Sequence, residues 1–74
     1  MKIYGYSFNK DKEPMELNEA TICANPEMLR EISKFLLVCA EEMEKDVKWN
    51  HDHFSPENKE ENEYPELIVF NPNA

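Results

Sequence analysis

Apolar residues recur at every third or fourth position between residues 25 and 44, which is the periodicity of one face of an α-helix. Asn25 can cap such a helix, Pro26 suits its first position, and Glu27 complements its positive N-terminal end. The predicted buried stripe consists of Leu29, Ile32, Leu36, Ala40 and Met43, flanked by Met28, Phe35 and Cys39. Charged side chains take most of the opposite side, so we expect a helix that packs through one face.

Four shorter segments have the composition or the alternation of β-strands. Residues 2–8 alternate aromatic and smaller side chains, and residues 15–24 follow after a polar turn, so the two segments should form an antiparallel hairpin. Residues 47–54 form the third predicted strand. Residues 66–70 are apolar at successive positions, which is typical of a central strand that is buried on both faces.

The element order β-β-α-β-β predicts an α+β fold with one four-stranded antiparallel sheet and the helix packed on one of its faces. Residues 1–74 should form a single domain, because a chain of 74 residues leaves no room for a second core. The side chains expected to be most buried lie on the helix stripe and in the second and fourth strands: Ile22, Leu29, Ile32, Leu36, Cys39, Ile68 and Val69.

One helix can cover only one face of such a sheet. The other face would carry aromatic residues of the first and third strands, among them Tyr4, Tyr6 and Trp49. An open apolar face of that size rarely stays in water. We therefore expect it to be covered by a second copy of the chain, by another protein, or by the long loop at residues 55–65 folded back on it.

The negative net charge of the chain limits the kinds of molecule that it can bind. The chain carries 16 acidic and 8 basic residues, a net charge of −8, and most of the excess lies after residue 40. Such a surface repels nucleic acid and anionic lipid and attracts basic proteins, although it also keeps a small protein soluble. Two cysteines are too few for a disulfide scaffold, and no signal peptide or membrane-length apolar run is present, so the expected location is the cytoplasm.

His51 and His53 have the spacing of a metal-binding pair, because side chains two positions apart in a strand point the same way. Two imidazoles are only two ligands, and no spaced cysteine or carboxylate motif completes a set, so neither a metal nor another cofactor is predicted. Cys39 with either histidine could be imagined as a nucleophile and its base. A cysteine on an apolar helix stripe is more often inert, and no catalytic residue is predicted.

Three blocks of sequence are familiar in combination. They are residues 19–32 (EATICANPEMLREI) running into 35–40 (FLLVCA), residues 51–54 (HDHF) and residues 65–72 (PELIVFNP). Together they resemble small bacterial immunity proteins of polymorphic toxin systems, in particular the family numbered thirty-two among immunity proteins. The resemblance implies a protein that is encoded beside a toxin and neutralises it by binding in the cytoplasm of the producing cell. It implies no catalytic residues.

These observations predict a non-enzymatic inhibitor that binds a cognate toxin, for which a nuclease with a basic cleft is one candidate. The hypothetical contact residues combine strand aromatics, the two histidines and the acidic loop: Tyr4, Tyr6, Trp49, His51, His53, Glu60, Glu61 and Glu63. The isolated protein is predicted to be a homodimer whose interface covers the open sheet face. The alternative function is a self-associating structural or regulatory module whose dimer covers that face. A small cysteine enzyme is a weaker third hypothesis.

Overall fold

The computed structural model describes residues 1–7, 13–57 and 65–74. The elements in these ranges are strands β1 (Ile3–Gly5) and β2 (Met15–Leu17), helix α1 (Pro26–Lys45), and strands β3 (His51–His53) and β4 (Ile68–Phe70). The predicted α+β class and the order β-β-α-β-β are confirmed. Nowhere in the described ranges does a helix combine the length and the apolar character that a membrane span requires.

Helix α1 begins where its capping residues predict. The side chain of Asn25 accepts a hydrogen bond of 2.8 Å from the backbone N–H of Met28, which satisfies one of the donors left free in the first turn. Pro26 occupies the start of the helix, where its missing N–H costs nothing. At the other end, Lys45 places a positive charge in the last turn, where the helix dipole favours it.

The strands form two separate two-stranded antiparallel sheets, β1–β2 and β3–β4, and not the single four-stranded sheet that the sequence led us to expect. Strand β2 ends at Leu17, where the apolar positions of the sequence change phase, and no strand continues through residues 18–24. Each strand in the described ranges is three residues long. Among the described residues the two hairpins do not pair with each other, so no four-stranded ladder forms.

Gly5 makes room for a leucine side chain in the first hairpin. It pairs with Met15 across the two strands, and a Cβ atom at this position would lie 3.0 Å from Cδ1 of Leu17. That distance is shorter than an ordinary van der Waals contact. The bare backbone therefore makes room for the leucine, as a glycine inside a strand often does for a close neighbour.

The core of the described residues lies between α1 and the β3–β4 hairpin. The helix and the segment that contains β3 run in opposite directions at this junction. The backbone N–H of Glu57 donates to Oε1 of Glu31, and Phe54 packs on Phe35 one helical turn further along. Asp52 lies close enough to Cys39 for its negative charge to act on the thiol. The phenylalanine rings are 5.4 Å apart and tilted by 57°, a favourable aromatic geometry. Cys39 and Phe54, at 2 % and 7 % exposure, are the buried hydrophobic residues of this junction.

The side chains of the second hairpin alternate between an inner and an outer face. Leu67 and Val69 are half-buried on the inner face, whereas Ile68 and Phe70 are exposed on the outer face. The predicted division of these four residues into two sides is therefore confirmed. The prediction that the strand is buried on both sides is wrong, because among the described residues the helix covers the inner face and nothing covers the outer one.

The helix buries a different strip from the predicted stripe. Its best-covered residues are Met28, Glu31, Ile32, Phe35, Cys39 and Met43. Leu29 and Leu36 are exposed, Leu36 at 47 %. At 100° per residue, the packed strip is rotated by roughly 70° from the predicted one. The physical reason is that the apolar arc of this helix is wider than one contact can cover, and the hairpin takes the edge that carries Phe35 and Cys39.

This rotation explains which of the predicted core residues are buried and which are exposed. Cys39 is buried as predicted, and Ile32 and Val69 are half-buried. The expected burial of the other four residues is wrong, because each is exposed: Ile22, Leu29, Leu36 and Ile68. Two of these four belong to the side of the helix that the hairpin leaves uncovered.

The opposite faces of the second hairpin can be compared through two phenylalanines. Phe54→Ala should destabilise the protein by about 3–5 kcal/mol, because Phe54 is 7 % exposed and packs on Phe35. Phe70→Ala should cost less than about 1 kcal/mol, because that ring is 59 % exposed. Urea denaturation measures both, and Phe54→Leu provides a milder core variant if Phe54→Ala does not fold. A larger loss for Phe70→Ala would place the core on the other face.

Candidate partner-binding surface

The exposed side of the second hairpin is a surface in the described part of the chain whose side chains contact one another through rings and polar atoms. Its residues are His51 and His53 from β3 and Ile68 and Phe70 from β4; we call this set the outer hairpin face. The register pairs His51 with Phe70 and His53 with Ile68. Since side chains two positions apart in a strand share a face, all four lie together.

Ring contacts order this surface. The ring of His51 stacks on that of Phe70, with 5.8 Å between centroids and 13° between planes. The ring of His53 lies edge-on to that of His51 at 5.2 Å. The three rings therefore form a continuous aromatic row across the hairpin, and such a row offers contact area at little cost in side-chain entropy.

Polar contacts fix both imidazoles at Nδ1. His53 Nδ1 lies 2.6 Å from Oε1 of Glu66, and His51 Nδ1 lies 2.6 Å from Oδ1 of Asn50. A carboxylate or amide oxygen accepts, so Nδ1 is the donor in each pair. Nε2 is then the ring nitrogen available for contacts with another molecule. The chemical character of the surface is consequently amphipathic, with apolar rings that carry hydrogen-bonding edges.

Backbone hydrogen bonds continue the pairing of β3 and β4 by one residue pair at each end. Phe54 N–H donates to the carbonyl of Leu67, and Asn71 N–H donates to that of Asn50, each at 2.8 Å. The Asn71 side chain also donates to the carbonyl of Trp49 at 2.8 Å. Asn71 is buried at 3 % exposure, and it fastens the end of β4 to the start of β3.

The turn before β3 shortens the predicted third strand. Asp46 Oδ1 accepts from the N–H of Lys48 at 2.9 Å, and its carbonyl accepts from the N–H of Trp49 at 3.0 Å. An aspartate that bonds the backbone two residues further on is a typical turn former. Strand β3 therefore begins at His51, and the predicted strand at residues 47–50 is replaced by this turn.

The predicted contact residues fall into three groups. His51 and His53 are exposed and lie together on the outer hairpin face, while Trp49 precedes it and is half-buried. Tyr4 and Tyr6 are exposed but belong to the first hairpin or its flank. The predicted acidic contacts lie outside the described residues: Glu60, Glu61 and Glu63. Sequence reasoning missed Ile68, Phe70 and Glu66 as contact candidates, although the alternation in β4 and the outward histidines could have suggested them.

The structure does not assemble a cysteine–histidine pair. Cys39 lies beside Asp52 on the inner face, whereas His51 and His53 point outward on the other side of the same strand. Burial raises the pKa of the Cys39 thiol, and the negative charge of Asp52 raises it further. A nucleophilic cysteine needs the opposite shift. This geometry argues against the cysteine-enzyme hypothesis.

Two further observations on the described ranges concern pockets and metal ligands. An open depression at the first hairpin is lined by Met1, Lys2, Glu16, Leu17 and Asn18 and includes no histidine or cysteine. The described residues contain no group of three or more His, Cys, Asp or Glu side chains placed to hold a metal ion.

Comparison with known proteins gives one family. Residues 19–72 match the family described as Immunity protein 32. The matched region contains α1, β3 and β4, and therefore the helix–hairpin core and the outer hairpin face. The match confirms the resemblance found in the three sequence blocks. No curated protein and no solved structure matches the chain.

The two cysteines should react very differently with a thiol reagent. Cys23 is exposed, whereas Cys39 is buried and its pKa is raised, so its reactive thiolate is disfavoured. At pH 8 the native protein should label rapidly at Cys23 and label at both cysteines only in denaturant. Native Cys23→Ser should show almost no rapid labelling. Fast labelling of Cys39 in that variant would contradict its burial and restore the enzyme hypothesis.

Proposed function

This chain belongs to the Immunity protein 32 family, and on that basis we propose that it neutralises a cognate bacterial toxin by binding it. Proteins of this kind are generally non-enzymatic. The proposed action is accordingly stoichiometric: the protein occupies a surface of the toxin and catalyses no reaction. The place of action is the cytoplasm of the cell that makes both proteins.

The observation that carries the proposal is the outer hairpin face. Phe70 is 59 % exposed, and Ile68 beside it is also exposed. Apolar side chains grouped on one face, with polar atoms at their edges, are characteristic of protein contact surfaces. Because the two histidines are already held by Glu66 and Asn50, binding would cost little additional ordering of these rings.

Charge indicates the kind of toxin surface that would fit. The net charge of −8 favours a basic partner. A nuclease is one such partner, because the surface that binds a phosphate backbone is positive. We propose that Glu60, Glu61 and Glu63 accelerate association with it, and that Tyr4, Tyr6 and Trp49 provide further contacts. The aromatic row would then determine most of the residence time of the complex.

Co-expression with the toxin encoded beside this chain tests the proposal. Wild-type protein should restore growth and bind the toxin directly. Phe70→Ala and His51→Ala should each weaken binding tenfold or more, a loss of at least about 1.4 kcal/mol, because they remove rings from the centre of the proposed contact. Titration calorimetry with a catalytically inactive toxin measures the change.

Val47→Ala is the matched control, because Val47 is an exposed aliphatic residue outside the outer hairpin face. It should bind the toxin as tightly as wild type. If wild-type protein neither rescues growth nor binds, the immunity proposal fails. If it binds but Phe70→Ala and His51→Ala bind equally well, the function stands and the contact lies elsewhere.

A further inference from the structure

Helix α1 has a second strip of apolar and small residues, which no described part of the chain covers. This strip, which we call the helix ridge, consists of Leu29, Ser33, Leu36, Leu37 and Ala40. All five residues are exposed, Leu36 at 47 % and Leu37 at 62 %. The packed strip that contains Phe35 and Cys39 lies on the adjoining side of the same helix.

The spacing of the ridge is that of a helix-pairing seam. Leu29, Ser33, Leu36 and Ala40 follow one another at steps of four, three and four residues. These steps reproduce the alternation of the two core positions in a heptad repeat. Leucines therefore alternate with small residues, so two such helices could approach closely, with each leucine packing against the serine or alanine opposite.

The charged residues beside the helix ridge can form ion pairs with the same residues of a second copy. Arg30 and Glu44 lie on the same flank, one heptad before and one heptad after Leu37. If two helices pack antiparallel about a two-fold axis at Leu37, Arg30 of each copy faces Glu44 of the other. Parallel packing would put the two flanks on opposite sides of the seam, so Arg30 and Glu44 would not face each other. In the part of the chain that the structure describes, neither Arg30 nor Glu44 forms an ion pair.

We propose that the helix ridge is the interface of a homodimer in which two α1 helices pack antiparallel. A second copy fits this surface better than a basic toxin does, because Arg30 and Lys34 near one end of the ridge balance Glu41 and Glu44 near the other. The proposal does not depend on the toxin. It also leaves the outer hairpin face free, since that face lies beyond the hairpin that packs on the other strip.

This dimer uses a different surface from the one that the sequence suggested. The predicted homodimer covered the open face of a four-stranded sheet, and no such sheet forms among the described residues. The helix instead exposes the leucines that the sequence placed in the core. If a second copy covers these leucines, both their exposure in the single chain and their heptad spacing are explained.

Analytical ultracentrifugation of the full chain tests the proposal. It is carried out over a range of concentrations, on the wild type and on variants that reverse the charges beside the helix ridge. Wild-type protein should show a reversible dimer of twice 8.8 kDa. Arg30→Glu and Glu44→Arg should each raise the dimer dissociation constant about tenfold or more, because each places two like-charged pairs in the interface. The double variant Arg30→Glu/Glu44→Arg should restore wild-type affinity, because the pairs re-form with their signs exchanged.

Lys48→Glu is the control for net charge, because it makes the same charge change as Arg30→Glu at an exposed site outside the helix. It should leave the dimer unchanged. Circular dichroism should show the same helix content in every variant, since all of the changed side chains are exposed. A monomer at all concentrations up to about 0.5 mM would overturn the proposal, and so would a dimer that the double variant fails to restore.

Discussion

The contact between Phe35 of the helix and Phe54 of the second hairpin is the interaction on which the rest of the structure depends. Three of the four buried residues in the described ranges lie at this contact or next to it in the chain: Cys39, Phe54 and Pro56. The fourth, Asn71, is at the opposite end of the hairpin. A chain of 74 residues can bury only about 60 % of its unfolded surface. The described residues pack one edge of the helix and one face of the hairpin at this contact, and the other sides of both elements stay exposed.

Two apolar surfaces therefore stay exposed in the described structure, and they differ in chemical character. The outer hairpin face is aromatic, carries histidine edges held by Asn50 and Glu66, and belongs to an acidic molecule. The helix ridge is aliphatic, its neighbouring charges balance, and its pattern matches itself when reversed. The first therefore suits an unlike, basic partner and the second a like one. Because they lie on different elements, one molecule could use both at the same time.

The features that sequence reasoning could predict are those with local causes. Asn25 and Pro26 specify the start of the helix by themselves, and the period of two places His51 and His53 on one face wherever that strand lies. The choice of Phe35 over Leu36 for the core could not be read from the sequence, since the apolar arc includes both and only the shape of the hairpin selects between them. The contact of His53 with Glu66 likewise depends on the register between β3 and β4, which no local pattern specifies.

Asn71 has a consequence for how this kind of protein can diversify. Its hydrogen bonds to Trp49 and Asn50 fasten one end of the second hairpin, and the Phe54–Leu67 bond fastens the other. Among the described residues, these bonds hold the register from within the hairpin. Lengthening a connection costs only about 0.6 kcal/mol per doubling. Sequence changes and insertions between the two strands can therefore accumulate at a small cost in free energy, while the hydrogen bonds at both ends keep β3 and β4 paired.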